Sequence, residues 1–274
     1  FVVDATGSMS DEINYLKAEL QDVIERVKKE ERELQLRLGT VFYRDTEDEY
    51  VTRSSPLLED ESTAMEFIRR QSADGGGDFP EAVEKALRVA ITEQSWLPEA
   101  RARLLFLLLD APPHHEPRIL DELQEYTRLA AKQGIHIIPV TGSGIDKPTE
   151  YLMKFLGLAT GGTYTFLTDH SGIGHSHIEA TARDYEVEYL NDLLVRLIGE
   201  YSRDMCQAED RWRGEDDSPA QARLRRQVNI YPNPATDHLN VELQTGVEAL
   251  QLISTGGQIM KDYGPWQSGN SRLN

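Results

Sequence analysis

A carboxylate and two hydroxyls, Asp4, Thr6 and Ser8, stand at alternate positions directly after the apolar start of the chain, with Gly7 between the hydroxyls. Two further acids occupy comparable settings. Asp78 lies in the glycine-rich stretch S-A-D-G-G-G-D-F-P, and Asp110 ends the almost continuously apolar run A-R-L-L-F-L-L-L-D. Gly7 lets the backbone turn sharply enough for both hydroxyls to face one point. Carboxylates gathered at such a point repel one another, and a hard divalent cation, which takes six or more oxygen ligands at about 2.0 to 2.6 Å, relieves the repulsion. Asp4, Thr6, Ser8, Asp78 and Asp110 are therefore the candidate metal ligands. Asp45, in F-Y-R-D-T-E-D, sits at another expected strand end, as an acceptor behind the site or as a solvated turn residue. Ser10 is a candidate for the rim, but as a helix cap it needs no metal, and Asp11 and Glu12 then favour the positive end of that helix. His114 and His115 follow Asp110 after a Pro-Pro turn; adjacent side chains point apart on most backbones, so His114 is read as a rim residue rather than a zinc ligand. His170, His175 and His177, in T-D-H-S-G-I-G-H-S-H, could line the same rim.

These residues need elements to carry them. Ile13, Leu16, Leu20, Val23, Ile24 and Val27 recur at helical spacing, with acids early and lysines late. L-Q-L-R-L-G-T-V-F-Y-R-D and Y-V-T-R-S-S-P-L-L read as a hairpin, E-S-T-A-M-E-F-I-R-R-Q as a short helix, and E-A-V-E-K-A-L-R-V-A-I-T-E-Q as a helix whose first turn accommodates Pro80. The run ending at Asp110 has the pattern of a strand covered on both faces. Helices around 120–132, 149–158 and 177–201 alternate with the strands G-I-H-I-I-P-V-T-G and G-T-Y-T-F-L. The face of Leu193, Leu194, Leu197 and Ile198 is read as core. Alternation of this kind predicts an α/β fold with a doubly wound, mostly parallel sheet and one antiparallel edge strand. In such folds ligands bind beyond the carboxyl ends of the strands, where the candidate acids fall. The expected domains are 1–203, a charged linker over 204–226, and a small all-β, sandwich-like module over 227–274.

Composition narrows the classes of function. Of 274 residues 39% are hydrophobic, enough for a core in each unit, and the formal charge of -18 argues against nucleic acid and anionic membranes as partners. Cys206 is the only cysteine, which excludes an internal disulfide and a cysteine zinc site. No apolar stretch reaches the roughly 18 to 20 residues of a membrane span. Phe1 begins inside an expected strand, so the chain reads as a fragment. No Ser-His-Asp order, Cys-His pair, zinc-protease helix or phosphate-binding loop occurs, and a non-enzymatic role is expected.

D-A-T-G-S-M-S resembles the D-x-[ST]-x-S metal-ion-dependent adhesion site of the von Willebrand factor A family, and the order of elements from Phe1 to about Tyr201 resembles that domain throughout. G-G-G-D-F-P-E-A-V and L-L-L-D-A-P-P-H-H are similar to the second and third metal loops of its D-x-T-G-S-M branch. The resemblance implies one bound Mg²⁺ or Ca²⁺, with Asp4, Thr6 and Ser8 in the first loop, Asp78 at the second-loop position and Asp110 in the third. It also implies a protein ligand, usually captured through an acidic group. That second-loop position is commonly Thr in the adhesion branch; Asp78 adds a negative charge, which favours the cation and disfavours a partner's carboxylate.

Farther on, V-N-I-Y-P-N-P-A-T-D-H-L-N-V-E-L resembles the start of the C-terminal sorting domain of type IX secretion cargo in Bacteroidota, over about 228–274. It implies the type IX machinery as a partner and a location outside the cell, secreted or on the outer-membrane surface of a Gram-negative bacterium. The copy stops before the family's last strands. The combined expectation is a secreted or surface metal-dependent protein-binding and adhesion module; the alternative is a non-catalytic accessory domain of a larger exported enzyme, such as a hydrolase.

Overall fold

In the computed structural model, the described residues are 1–31, 34–77, 79–142, 145–167 and 189–202, together with the backbone of 228–231, 239–243, 247–253, 259–266 and 269–273. The chain divides into two compact units, Phe1–Arg203 and Asp204–Asn274.

The first unit is built on a six-stranded sheet. Its strands are β1 (Val2–Asp4), β2 (Leu38–Tyr43), β3 (Thr52–Leu58), β4 (Arg103–Leu109), β5 (Ile135–Thr141) and β6 (Thr165–Phe166), in the spatial order β3-β2-β1-β4-β5-β6. All neighbours are parallel except β3, which pairs antiparallel with β2 at one edge. The expected doubly wound sheet with one antiparallel edge strand is thus observed. The helices are α1 (Ser10–Glu30), α2 (Glu61–Arg69), α3 (Val83–Arg88), α4 (Pro117–Gln133), α5 (Lys147–Ala159) and α6 (Leu190–Ser202).

The period-2 alternation of buried strands divides the core in two. From β4, Phe106 and Leu108 join Val3, Ile138 and Val140 in a cluster with α1, α2 and α6; Leu105, Leu107 and Leu109 join Val2, Ile135 and Ile137 in a cluster with α3, α4 and α5. Burying one large aliphatic side chain contributes about 1.5 to 3 kcal/mol, so this double-faced strand anchors both layers. Local chemistry sets the helix ends. Asp60 accepts from the Ser62 N–H at 3.1 Å at the start of α2, and Asp146 from the Thr149 N–H at 2.9 Å at the start of α5. Pro117 opens α4, and Gly134 closes it in the left-handed region at φ 65°.

Three expectations need correction. Ser10 does not cap α1: a 3₁₀ turn over Gly7–Met9 runs straight into the helix, Met9 takes the cap position without a side-chain bond, and Ser10 is an exposed first helical residue. Pro80 precedes α3 rather than opening it, because the Glu81 N–H is drawn to the Pro112 carbonyl at 2.8 Å. The helix beyond Arg88 continues as a π turn over Val89–Glu93. The helix expected from about His177 is described only as α6, because 168–188 lie outside the described residues. Leu193, Leu194 and Leu197 are core, as read.

In the second unit the strands are β7 (Val228–Tyr231), β8 (Leu239–Leu243), β9 (Val247–Ile253), β10 (Ile259–Trp266) and β11 (Gly269–Leu273). They form an antiparallel sheet β11-β8-β7 and an antiparallel pair β10-β9. The linker 204–226 and Pro232 to Pro234 lie outside the described residues.

Candidate metal centre

The strand order reverses direction between β1 and β4: from β1 the chain winds outward to β2, and after β3 it crosses back to β4 on the other side. The loops leaving β1 and β4 therefore part at their carboxyl ends, and the crevice between them is where a doubly wound sheet holds its ligand. Asp4 ends β1, and Asp110 follows β4.

Asp4 is fully buried. Its Oδ1 accepts hydrogen bonds from the Thr6 N–H at 2.9 Å and the Thr6 hydroxyl at 2.7 Å, while Oδ2 is buried with no hydrogen-bond partner. Asp110 is 8% exposed, and its Oδ1 is also buried without a hydrogen-bond partner, with the Ser8 hydroxyl on the side of its carboxyl group. Burial pushes the Asp4 carboxyl up to about 7, aided by the charges of Asp110 and Glu12 and opposed by the Thr6 hydrogen bonds. Burial also raises Asp110, against the Ser8 hydrogen bond. Four of the five residues picked from the sequence, Asp4, Thr6, Ser8 and Asp110, thus share one crevice. Asp78 lies outside the described residues.

Two buried carboxylate oxygens without partners, with two hydroxyls beside them, fit a hard divalent cation in charge and in ligand type. Among the described residues, no group of three His, Cys, Asp or Glu side chains stands at metal-holding geometry. The fit rests on two acids and two hydroxyls.

The glycine-rich loop is clamped onto the first loop. The Gly7 N–H donates to the Gly75 carbonyl at 3.2 Å and the Asp74 N–H to the Ala5 carbonyl at 3.1 Å. Gly75 and Gly76 adopt φ 79° and 74°, a region that other residues reach at a cost. Asp48 holds this turn, accepting from the Gly76 N–H at 3.2 Å and from the Asp45 N–H at 3.1 Å. Beneath it the Arg44 guanidinium donates to the carbonyls of Ala5 at 3.0 Å and Ser72 at 2.9 Å.

Asp45 is buried rather than solvated, and it pairs with His114, Nε2 to Oδ1 at 2.7 Å. Burial lowers the His114 pKa, but the hydrogen bond and charge of Asp45 outweigh it and the net shift is upward. Those two rim candidates are therefore partners of each other. His115 is exposed, and His170, His175 and His177 fall outside the described residues.

Sequence reasoning did not find Glu12, Asp48, Glu81 and Glu84. Glu12, Glu81 and Glu84 are buried. Glu12 had a readable signal: it continues the i, i+4 stripe of Leu16 and Leu20, which marks the inward face of α1.

Residues 1–147 match a family model described as the von Willebrand factor A domain, and residues 229–273 match one described as a secretion system C-terminal sorting domain. An ariadne-like RING finger protein of Acanthamoeba polyphaga mimivirus is 31% identical over 120 residues, 44% of this chain and 11% of that protein. An alpha-protein kinase of Dictyostelium discoideum is 33% identical over 117 residues, 42% of this chain and 18% of that protein. The chain spans less than a fifth of the length of either relative.

Proposed function

The chain belongs to the von Willebrand factor A domain family, and on that footing we propose that it is a divalent-metal-dependent protein-binding module delivered to the cell exterior by its sorting tail. The observation that carries this reading is the pair of buried, partnerless oxygens, Asp4 Oδ2 and Asp110 Oδ1, at the switch point of the sheet. Asp4, Thr6, Ser8 and Asp110 would hold one Mg²⁺ or Ca²⁺, with Asp78 from the glycine-rich loop. A bound ion supplies charge balance and an open coordination position for an oxygen of a protein ligand. Thr6 fixes the Asp4 carboxylate through two hydrogen bonds, so that acid need not reorganise when the site fills. The role is non-enzymatic. The sorting domain supports the secretion machinery as a second partner, with type IX export and the surface of a Gram-negative bacterium of the Bacteroidota as the finer reading.

One observation favours the alternative of an accessory domain in a larger exported enzyme: both relatives are much longer than the match, and one is a kinase. Binding experiments with the ion separate neither reading from the other, but they test the site common to both. The test is thermal unfolding after chelation, then with Mg²⁺, Ca²⁺ or Mn²⁺ restored, beside an Asp4→Ala, Asp110→Ala variant. At a hundredfold excess over Kd a native-state ligand stabilises by about 2.7 kcal/mol. A saturable rise confined to the unsubstituted protein is expected; equal behaviour of the two proteins would remove the metal from the proposal.

A further inference from the structure

Of all the glycines in the sequence, Gly75 alone follows an Asp, and none follows an Asn. At such a pair the main-chain nitrogen of the second residue is free to attack the side-chain carboxyl carbon of the first, because glycine sets no side chain against the ring that forms and bends readily toward it. The structure holds the two groups together. The Gly75 N–H donates to Asp74 Oδ1 at 2.9 Å, so the carboxyl carbon stands at most one C–O bond farther from the nitrogen. Among the described residues no main-chain carbonyl competes for this N–H, and both residues are exposed, so water reaches them.

The flanks of the pair are fixed. The Asp74 N–H is anchored on the Ala5 carbonyl at 3.1 Å, the Gly75 carbonyl on the Gly7 N–H at 3.2 Å, and the Gly76 N–H on Asp48 Oδ2 at 3.2 Å. A reacting pair held in place by its neighbours has lost the freedom that an open chain must still give up.

We propose that Asp74–Gly75 is a site of spontaneous self-modification, at which aspartate becomes isoaspartate and the clamp between the glycine-rich loop and the first loop opens. In the first step the Gly75 nitrogen bonds to Asp74 Cγ and gives up its proton, while the protonated carboxyl group gives up its hydroxyl. Proton and hydroxyl leave together as water, and a five-membered succinimide remains. Water then adds to one of the two ring carbonyls. Breaking the bond from Cγ to nitrogen restores aspartate; breaking the bond from the main-chain carbonyl carbon to nitrogen sends the chain through Cβ and Cγ. No oxidant, reductant or bound ion takes part, so the inference stands apart from the metal reading. The product has one more carbon, about 1.5 Å of main chain, between the anchor on Ala5 and the anchor on Gly7. Those two partners lie on one short loop and cannot separate to match, so the clamp is lost.

The test is to hold the full chain folded in warm neutral buffer for weeks and sample it by peptide mapping. Trypsin releases residues 71–85 as one peptide, bounded by Arg70 and Lys85. Succinimide lowers its mass by one water, and isoaspartate leaves the mass unchanged but gives its own fragments on electron-transfer dissociation. Asp78, in the same peptide but followed by Phe79, is the internal control. Isoaspartate should form at Asp74 at a rate within about tenfold of that in the free peptide, since misplacement of the nitrogen by about 1 Å costs about a hundredfold. A slower rate, or equal modification of Asp78, would overturn the proposal. Hydrogen exchange at the Gly7 amide should quicken in step with the isoaspartate fraction; unchanged protection in a largely isomerised sample would overturn the opening of the clamp. Asp74→Glu, whose ring would have six members, should show neither change. If that variant does not fold, the rate and the exchange in the unsubstituted protein decide alone.

Discussion

Burial holds the Asp4 carboxyl at about 7 against an ordinary 3.8. A raised value means that folding favours the protonated form, so the contribution of Asp4 to stability is complete below about pH 4 and is lost as pH rises through about 7. At about 1.4 kcal/mol per pH unit the interval amounts to about 4 kcal/mol. Chelated protein should therefore lose stability over that window relative to Asp4→Asn, which keeps an oxygen for Thr6 but carries no charge. Metal should restore the unsubstituted protein and leave Asp4→Asn unchanged. Denaturant midpoints at pH 4, 6 and 8, with and without Mg²⁺, would show it; parallel pH curves for the two proteins would mean that Asp4 is not the titrating group. The pair Asp45 and His114 behaves similarly in sign. Its raised histidine value gives stability that is present below about pH 6.5 and fades as pH rises through the higher folded value. A double-mutant cycle with His114→Gln and Asp45→Asn should give a coupling of about 1 kcal/mol at pH 6 that shrinks by pH 9; constancy across that range would mean a neutral hydrogen bond. Asp4, Thr6 and Asp110 were legible in the sequence because polar residues abruptly end apolar runs there. Glu12, Glu81 and Glu84 were not, because an acid in the first turn of a helix has an ordinary explanation in the helix dipole. For Glu12 the stripe it shares with Leu16 and Leu20 outweighs that explanation; for Glu81 and Glu84 burial depends on what packs over them, and no local pattern states that.

At the level of elements, long periodic segments were readable because each helix has one core face and β4 has two. What was not readable lay where one element is bound to another. Pro80 was expected inside a helix, yet the Glu81 N–H is taken by the Pro112 carbonyl, a residue far along the chain. The glycine-rich loop shows the same dependence on distant partners. Its run of glycines announced a tight turn, but the residue that needs it is Asp48, whose carboxylate occupies the space a side chain on Gly75 would fill: a Cβ there would lie 2.3 Å from Asp48 Oδ1. Gly75→Ala should thus combine a left-handed backbone cost of about 1 to 2 kcal/mol with displacement of Asp48 from the Gly76 N–H. A total near 3 kcal/mol and weakened metal binding are expected, since in the same loop the Gly75 carbonyl accepts a hydrogen bond from the Gly7 N–H, between the candidate ligands Thr6 and Ser8. Urea unfolding and a metal titration would measure the two effects. Loss of stability with unaltered metal affinity would show that the clamp does not position the site.

The molecule as a whole joins a von Willebrand factor A domain to a sorting domain, and the two are separable in their physics. Both apolar clusters of the first unit draw their buried residues from Val2 to Leu197. The sheet order of that unit is complete within β1 to β6, and the strands of the second unit pair only with one another among the described residues. A unit with its own core and its own paired strands folds alone. A chain shortened to residues 1–203 should therefore unfold cooperatively, with a midpoint within about 3 °C of the corresponding transition in the full chain, the shift that about 1 kcal/mol produces in a domain of this size. Its rise on adding Mn²⁺ should match that of the full chain, because every described candidate ligand precedes residue 111. A larger fall in the midpoint, or loss of the metal response, would mean that the sorting module supports the site.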